Sequence, residues 1–189
     1  MAQMHDVETR NEQDGSMVVE GYAAIFDSPT VLWESNNGWQ YIEVIERSAF
    51  NGANMSDVIL NYNHMDNAFV LARTKNSTLQ LTVDSKGLRV RAEIADTMAG
   101  NDVFKLVKRG DLSQMSFAFD VNSESWEDDN VNKKSVRRIT GIKNLYDVSI
   151  VDRPAYDDTY IEARSKECKQ HFEKRQLDKK RKRLLLMTY

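Results

Sequence analysis

Two stretches of the chain alternate apolar and polar residues with the period of two that marks a half-buried strand. Leu79, Leu81 and Val83 alternate with Thr78, Gln80 and Thr82, and Leu88, Val90, Ala92 and Ile94 alternate with Arg89, Arg91 and Glu93. Asp84-Ser85-Lys86-Gly87 between them has turn chemistry, so 78–94 is predicted to form a β-hairpin. The period then changes. Ala99, Val103, Leu106 and Val107 fall on one stripe of a helix. Asp96 or Thr97 can cap its start, Lys108 and Arg109 suit its C-terminal end, and Gly110 supplies a left-handed stop.

Other strands are shorter. Met17 to Phe26 reads as one, with Val19, Ala23 and Ile25 on one parity. Asp27-Ser28-Pro29-Thr30 and Asn36-Asn37-Gly38 are turns. Tyr41 to Arg47 is strand-like, and Ser48 to Asn51 reads as a short helical turn. Val58 to Tyr62, Phe69 to Arg73, and Gln114 to Phe119 follow, and Ser135 to Ile142 and Leu145 to Val151 close the sheet. Asn122 to Lys134, with Glu124, Glu127, Asp128 and Asp129 and little to bury, is expected to be a mobile surface loop. Pro154 ends regular pairing, and the chain turns helical and polar from Tyr156 onward. Many short strands with one internal and one terminal helix predict an α+β fold, a small, mostly antiparallel β-barrel with helices packed outside. The pattern also permits an open sheet. The organisation expected is a polar leader over 1–16, one domain over 17–160, and a basic helical tail over 161–189.

Composition narrows the class. With 189 residues, 41% apolar and 29% charged, the chain has the make-up of one soluble domain with a real core. No apolar run approaches a membrane span, and Met1 to Asn11 lacks the apolar centre of a secretory signal. The single cysteine, Cys168, cannot form an internal disulfide, which fits reducing, cytosolic conditions. The net charge of −3 hides a split: residues 164–189 hold ten Lys/Arg against three acidic residues, so the remainder carries −10. A basic tail on an acidic body suggests electrostatic contact with another copy or an acidic partner. Nucleic-acid binding is not indicated, since aromatic and basic residues do not interleave on a strand face.

Candidate chemistry centres on two words about fifty residues apart, Asn61-Tyr62-Asn63-His64-Met65 and Gln114-Met115-Ser116-Phe117-Ala118-Phe119. Ser116 lies on the polar parity of a strand whose other parity is Met115, Phe117 and Phe119. A hydroxyl nucleophile needs a neighbouring base, and neutral imidazole is the usual one near pH 7. Of three histidines, His5 lies in the leader and His171 in the charged tail, which leaves His64. Spacing alone leaves two readings open: a nucleophile–base pair, or an ordinary strand serine and a satisfied surface or barrel-mouth histidine. There is no H-E-x-x-H, no cysteine pair, no glycine-rich phosphate loop and no G-x-S-x-G elbow. No metal and no cofactor is therefore expected.

Several words in order resemble one family. Glu20 to Ser28, Glu43 to Phe50, Asn63-His64, Gly110 to Phe119, and Leu145 to Val151 followed by Arg153-Pro154-Ala155-Tyr156 are similar to the tailed-phage prohead serine proteases, a family grouped with the herpesvirus assemblins. The resemblance covers about residues 17–160. It implies an assemblin-like barrel and a serine endopeptidase in which Ser116 is the nucleophile, His64 the base, and Asp147 the acidic third residue. The family commonly has glutamate at the third position, so the shorter arm of Asp147 is a departure; Asp66 and Asp152 are its rivals. Arg153 is the implied oxyanion candidate, with Arg137 and Arg138 behind it. The implied partners are the major capsid protein or scaffold as substrate, and other copies of the chain. The implied place of action is the host cytoplasm, inside the procapsid, with self-cleavage expected. The alternative is a capsid-assembly protein that has the barrel but does not cleave.

Overall fold

The computed structural model describes residues 7–11, 15–65 and 70–152, together with Glu173, Lys174, Leu177 and Arg181. Among the described residues ten strands form: β1 Glu8–Asn11, β2 Met17–Ile25, β3 Thr30–Glu34, β4 Gln40–Ile45, β5 Ile59–Tyr62, β6 Ala72–Arg73, β7 Leu79–Val83, β8 Gly87–Ile94, β9 Gln114–Asp129 and β10 Lys134–Val151. An α-helix, α1, spans Met98–Arg109. The hairpin expected over 78–94 is β7–β8, with Leu81 opposite Val90. Arg47–Phe50 makes a 3-10 turn where a short helical turn was expected.

The strands make two sheets. One has the order β1-β2-β8-β7. The other has the order β3-β4-β10-β5-β6, with β9 along the free side of β10. The first sheet and the core face of the second share one core. Val19, Val90 and Ala92 meet Leu60, Phe117, Val148 and Ile150, and α1 adds Val103, Phe104 and Val107. The mostly β make-up with its internal helix agrees with the α+β expectation, but the described strands do not close into a barrel. The physical reason lies in β10, which is 18 residues long. It pairs in parallel first with β4 over 134–139 and then with β5 over 147–150. Its neighbours are therefore spread along its length rather than around a ring.

The expected mobile loop at Asn122 to Lys134 is also corrected. β9 runs on to Asp129 and β10 begins at Lys134, so only a short turn separates them. The acidic residues find partners across the ladder. Trp126 faces Arg137 in register. Ser135 donates to Asp128 at 2.6 Å, and Arg137 Nε donates to Glu124 at 2.6 Å. An edge strand carrying acidic residues is a common defence against pairing with other chains, and its polarity imitates a loop in sequence. Two strands were not anticipated. β3 follows the Pro29 turn, and β1 lies in the polar leader, where Thr9 pairs with Val19 of β2.

α1 begins and ends as its sequence requires. Thr97 Oγ1 accepts from Gly100 N at 3.0 Å, and Gly110 takes φ +89°. Gly100 is needed for a close approach: a Cβ there would lie 2.0 Å from Ala95 O and 3.0 Å from a methyl of Ile94. Gly100→Ala should therefore destabilise the protein by about 1–3 kcal/mol, although alanine is the better helix former. Urea denaturation of both proteins measures this, and a stabilised variant would contradict the close approach.

The β7–β8 turn carries a carboxylate with three donors. Asp84 accepts from Tyr22 Oη at 2.7 Å, Lys86 N at 2.7 Å and Gly87 N at 2.9 Å. The Tyr22 bond, with smaller help from these amides, holds the Asp84 carboxyl below its ordinary range. A carboxyl depressed on folding stabilises above its unfolded pKa and loses that contribution as pH falls through its folded pKa. Tyr22→Phe should therefore shrink the drop in thermal stability between neutral pH and about pH 3, the acid side of an ordinary aspartate. An unchanged acid limb would count against this bond.

Candidate active site

The site is assembled where β5 ends. Met65 N donates to Tyr62 O at 3.1 Å, and the two residues between, Asn63 and His64, have φ of 50° and 51°. Such a pair is the signature of a type I′ turn. Asn and His enter the left-handed region more readily than most side chains, yet a non-glycine residue there costs roughly 1–2 kcal/mol. The end of β10 supplies the ties that offset this. Asn63 N donates to Ile150 O at 3.0 Å, Asp152 N to Asn63 Oδ1 at 3.2 Å, and His64 N to Ser149 Oγ at 3.1 Å.

Register decides which side chains gather there. Ser149 of β10 lies opposite Ser116 of β9 on one side and Asn61 of β5 on the other. Residues opposed across neighbouring strands point to one face with Cβ atoms about 5 Å apart. Ser116, Ser149 and Asn61 therefore share a face, and Asp147, two residues from Ser149, shares it too. Their alternates Met115, Phe117, Val148, Ile150 and Leu60 fill the core on the other side. His64 Nδ1 lies 2.7 Å from Asp147 Oδ1, with side-chain exposures of 9% and 13%. An ionised carboxylate can only accept, so the Nδ1 proton donates to it and Nε2 keeps its lone pair. At that low exposure water screens the bond little.

The residues predicted from sequence divide clearly. Asp147 is beside His64, and Ser116 is one strand away on the same face. Asp152 is exposed and takes part through its backbone amide. Arg137 and Arg138 lie ten and nine positions before Asp147 on β10. At about 3.3 Å per residue that is roughly 30 Å away. Arg137 is moreover committed to Glu43 and Glu124. Asp66, Arg153, His5, Cys168, His171 and most of the basic tail lie outside the described residues. Sequence reasoning missed Ser149 and Asn61. The available signal was parity: Asp147 and Ser149 alternate with the core residues Val148 and Ile150. A cleft of about 500 Å³ between Met17, Leu71, Ala72, Ile94 and Asn101 is not lined by Ser116, His64 or Asp147.

A half-buried hydroxyl, an imidazole whose Nδ1 faces a carboxylate, and that carboxylate behind it are the groups with which serine hydrolases transfer acyl groups. The chain belongs to the caudovirus prohead serine protease family, whose model matches residues 5–174. It is thereby a protein of phage capsid maturation of the serine protease kind. No curated protein and no solved structure matches the chain. No helix among the described residues is long and apolar enough to cross a membrane.

The bond to Asp147 makes a spectroscopic prediction. ¹⁵N-edited NMR near neutral pH should show neutral His64 as the Nδ1–H tautomer. In Asp147→Asn, where an amide can present N–H to the ring, that preference should be lost or reversed. A wild-type Nε2–H tautomer would rule out the carboxylate as acceptor.

Proposed function

We propose that the chain is the endopeptidase that matures a phage procapsid, with Ser116 as nucleophile, His64 as base and Asp147 as the residue that orients it. The observation that carries this reading is the His64–Asp147 bond on the sheet face that also bears Ser116. Ser116 Oγ attacks the scissile carbonyl while His64 Nε2 takes its proton. The tetrahedral adduct collapses, the proton passes from Nε2 to the leaving amine, and an ester on Ser116 remains. Water, deprotonated by the same nitrogen, then hydrolyses the ester. Asp147 stays ionised throughout and balances the imidazolium. Arg153 remains the candidate for the oxyanion.

Family membership supports the scaffold, or the scaffolding arm of the major capsid protein, as substrate, and the procapsid interior as the place of action. Self-cleavage and self-association belong to the same proposal, as does the assemblin-like arrangement of the chemistry. The segment beyond about residue 160, with its excess of Lys and Arg and the run Leu184-Leu185-Leu186, docks on an acidic surface of another copy or on the capsid protein's scaffolding region. Truncation after Glu162 should spare cleavage of a small peptide and reduce incorporation into procapsids, counted by quantitative mass spectrometry. Wild-type copy number would remove the targeting role.

Ser116 and His64 act as a unit. Ser116→Ala, His64→Ala and the double variant should each lose on the order of 10³-fold or more, by similar amounts. Asp147→Asn should keep the fold and lower turnover. Coexpression with the cognate capsid precursor reads this as uncut precursor on a gel. Normal processing by Ser116→Ala would sink the reading of Ser116 as a protease nucleophile.

A further inference from the structure

We propose that Ser149 is a positioning residue: its buried hydroxyl fixes both the backbone of His64 and the carboxylate of Asp147, and so sets the direction of the imidazole. This rests on the reading of Ser116, His64 and Asp147 as the catalytic residues.

The Ser149 side chain has no contact with water, at 0% exposure. Its Oγ nonetheless meets polar groups on several sides: His64 N at 3.1 Å, His64 Nδ1 at 3.1 Å, Asp147 Oδ1 at 2.9 Å, and Asn61 Oδ1. A hydroxyl has one proton and two lone pairs, so these contacts cannot all be alike. The His64 N–H can only donate, and it takes one lone pair. The single hydroxyl proton has two oxygens within reach, and the charged carboxylate is the stronger acceptor. With the proton on that side, Asp147 Oδ1 accepts from both Ser149 Oγ and His64 Nδ1. Two donors converging on one oxygen fix the carboxylate more tightly than one. The Asn61 amide, turned end for end, can donate to the remaining lone pair.

The consequence is directional. His64 stands in a left-handed turn that is strained for a non-glycine residue, and its amide is tied to the same hydroxyl that holds its carboxylate partner. Backbone and ring are therefore registered against one atom. Ser116 lies on the neighbouring strand directly across from that atom. One oxygen thus sets the relation of base to nucleophile, although Ser149, being fully buried, touches no substrate. A base misplaced by about 1 Å can cost on the order of 10²-fold in rate.

The test is the labelling of the full-length protein by a fluorophosphonate, followed by mass spectrometry at Ser116. Ser149→Ala should lower the limiting labelling rate by roughly 10- to 100-fold and leave the half-saturating probe concentration within about 3-fold. Ser149→Thr, which keeps the hydroxyl, should recover most of the rate. If Ser149→Ala does not fold, Ser149→Cys fills the site with a slightly larger group, loses the strong hydrogen bonds and carries the same expectation. A wild-type protein not labelled at Ser116 overturns the catalytic reading and this inference together. Labelling at Ser116 with an unchanged rate in Ser149→Ala, or with an equal loss in Ser149→Thr, overturns the positioning role alone.

Discussion

β10 takes β4 and then β5 on one flank and β9 along the whole of the other, and a strand with three partners has little freedom left in its register. The gap between its two parallel neighbours is bridged by Asn54, whose amide donates to Lys143 O at 2.9 Å and whose carbonyl accepts from Leu145 N at 3.0 Å. The register with β9 shifts several times between Ile139 and Asp147, where β10 passes from one neighbour to the next. Past those irregularities the alternation is strict. A slip by one residue would turn Asp147 and Ser149 into the core and push Val148 and Ile150 out. The site is therefore only as well defined as the packing of Met115, Phe117, Val148 and Ile150 beneath it.

Polar clusters occupy both ends of β10, and they differ in kind. At the start, Arg137 is nearly buried, with Glu124 at 2.6 Å, Glu43 at 3.6 Å, and the Trp126 ring 5.8 Å from its guanidinium. Burying charge is costly, and removing one partner of such a cluster is costlier than never having built it. This cluster joins β4, β9 and β10 side chain to side chain, so it supports the same register that the far end uses. At the far end the groups are a carboxylate, an imidazole, a hydroxyl and an amide, on β5, β10 and the turn after β5. They hold proton positions rather than strand positions. Two positive-φ residues in succession at Asn63 and His64 fit a site where local strain is kept for geometry and held by surrounding bonds.

Much of the architecture was legible because it depends on local rules. The 78–94 hairpin followed from period-two alternation around a turn, and α1 from its apolar stripe, Thr97 and Gly110. The His64 and Ser116 words, and the choice of Asp147 as the acidic partner, came instead from the resemblance of ordered segments to the prohead protease family. Local rules failed where a segment's partner is distant. The acidic stretch 122–129 looked like a loop because its partners, the guanidinium groups of Arg137 and Arg138 and the hydroxyl of Ser135, sit across a ladder. β1 is short and polar and β3 is only five residues long, and pairing with β2 and β4 makes them strands. The open sheets were decided by the length of β10 and its sequence of neighbours, which no periodicity encodes. Ser149 and Asn61 were missed for the same reason, since parity marks the face they take but not the residues they meet. Their spacing to His64 and Ser116 in sequence carries no meaning until parallel β5 and antiparallel β9 are laid on either side of β10. The sequence by itself determined which groups are available and which face of each strand they take; only the tertiary register brought them within hydrogen-bond distance.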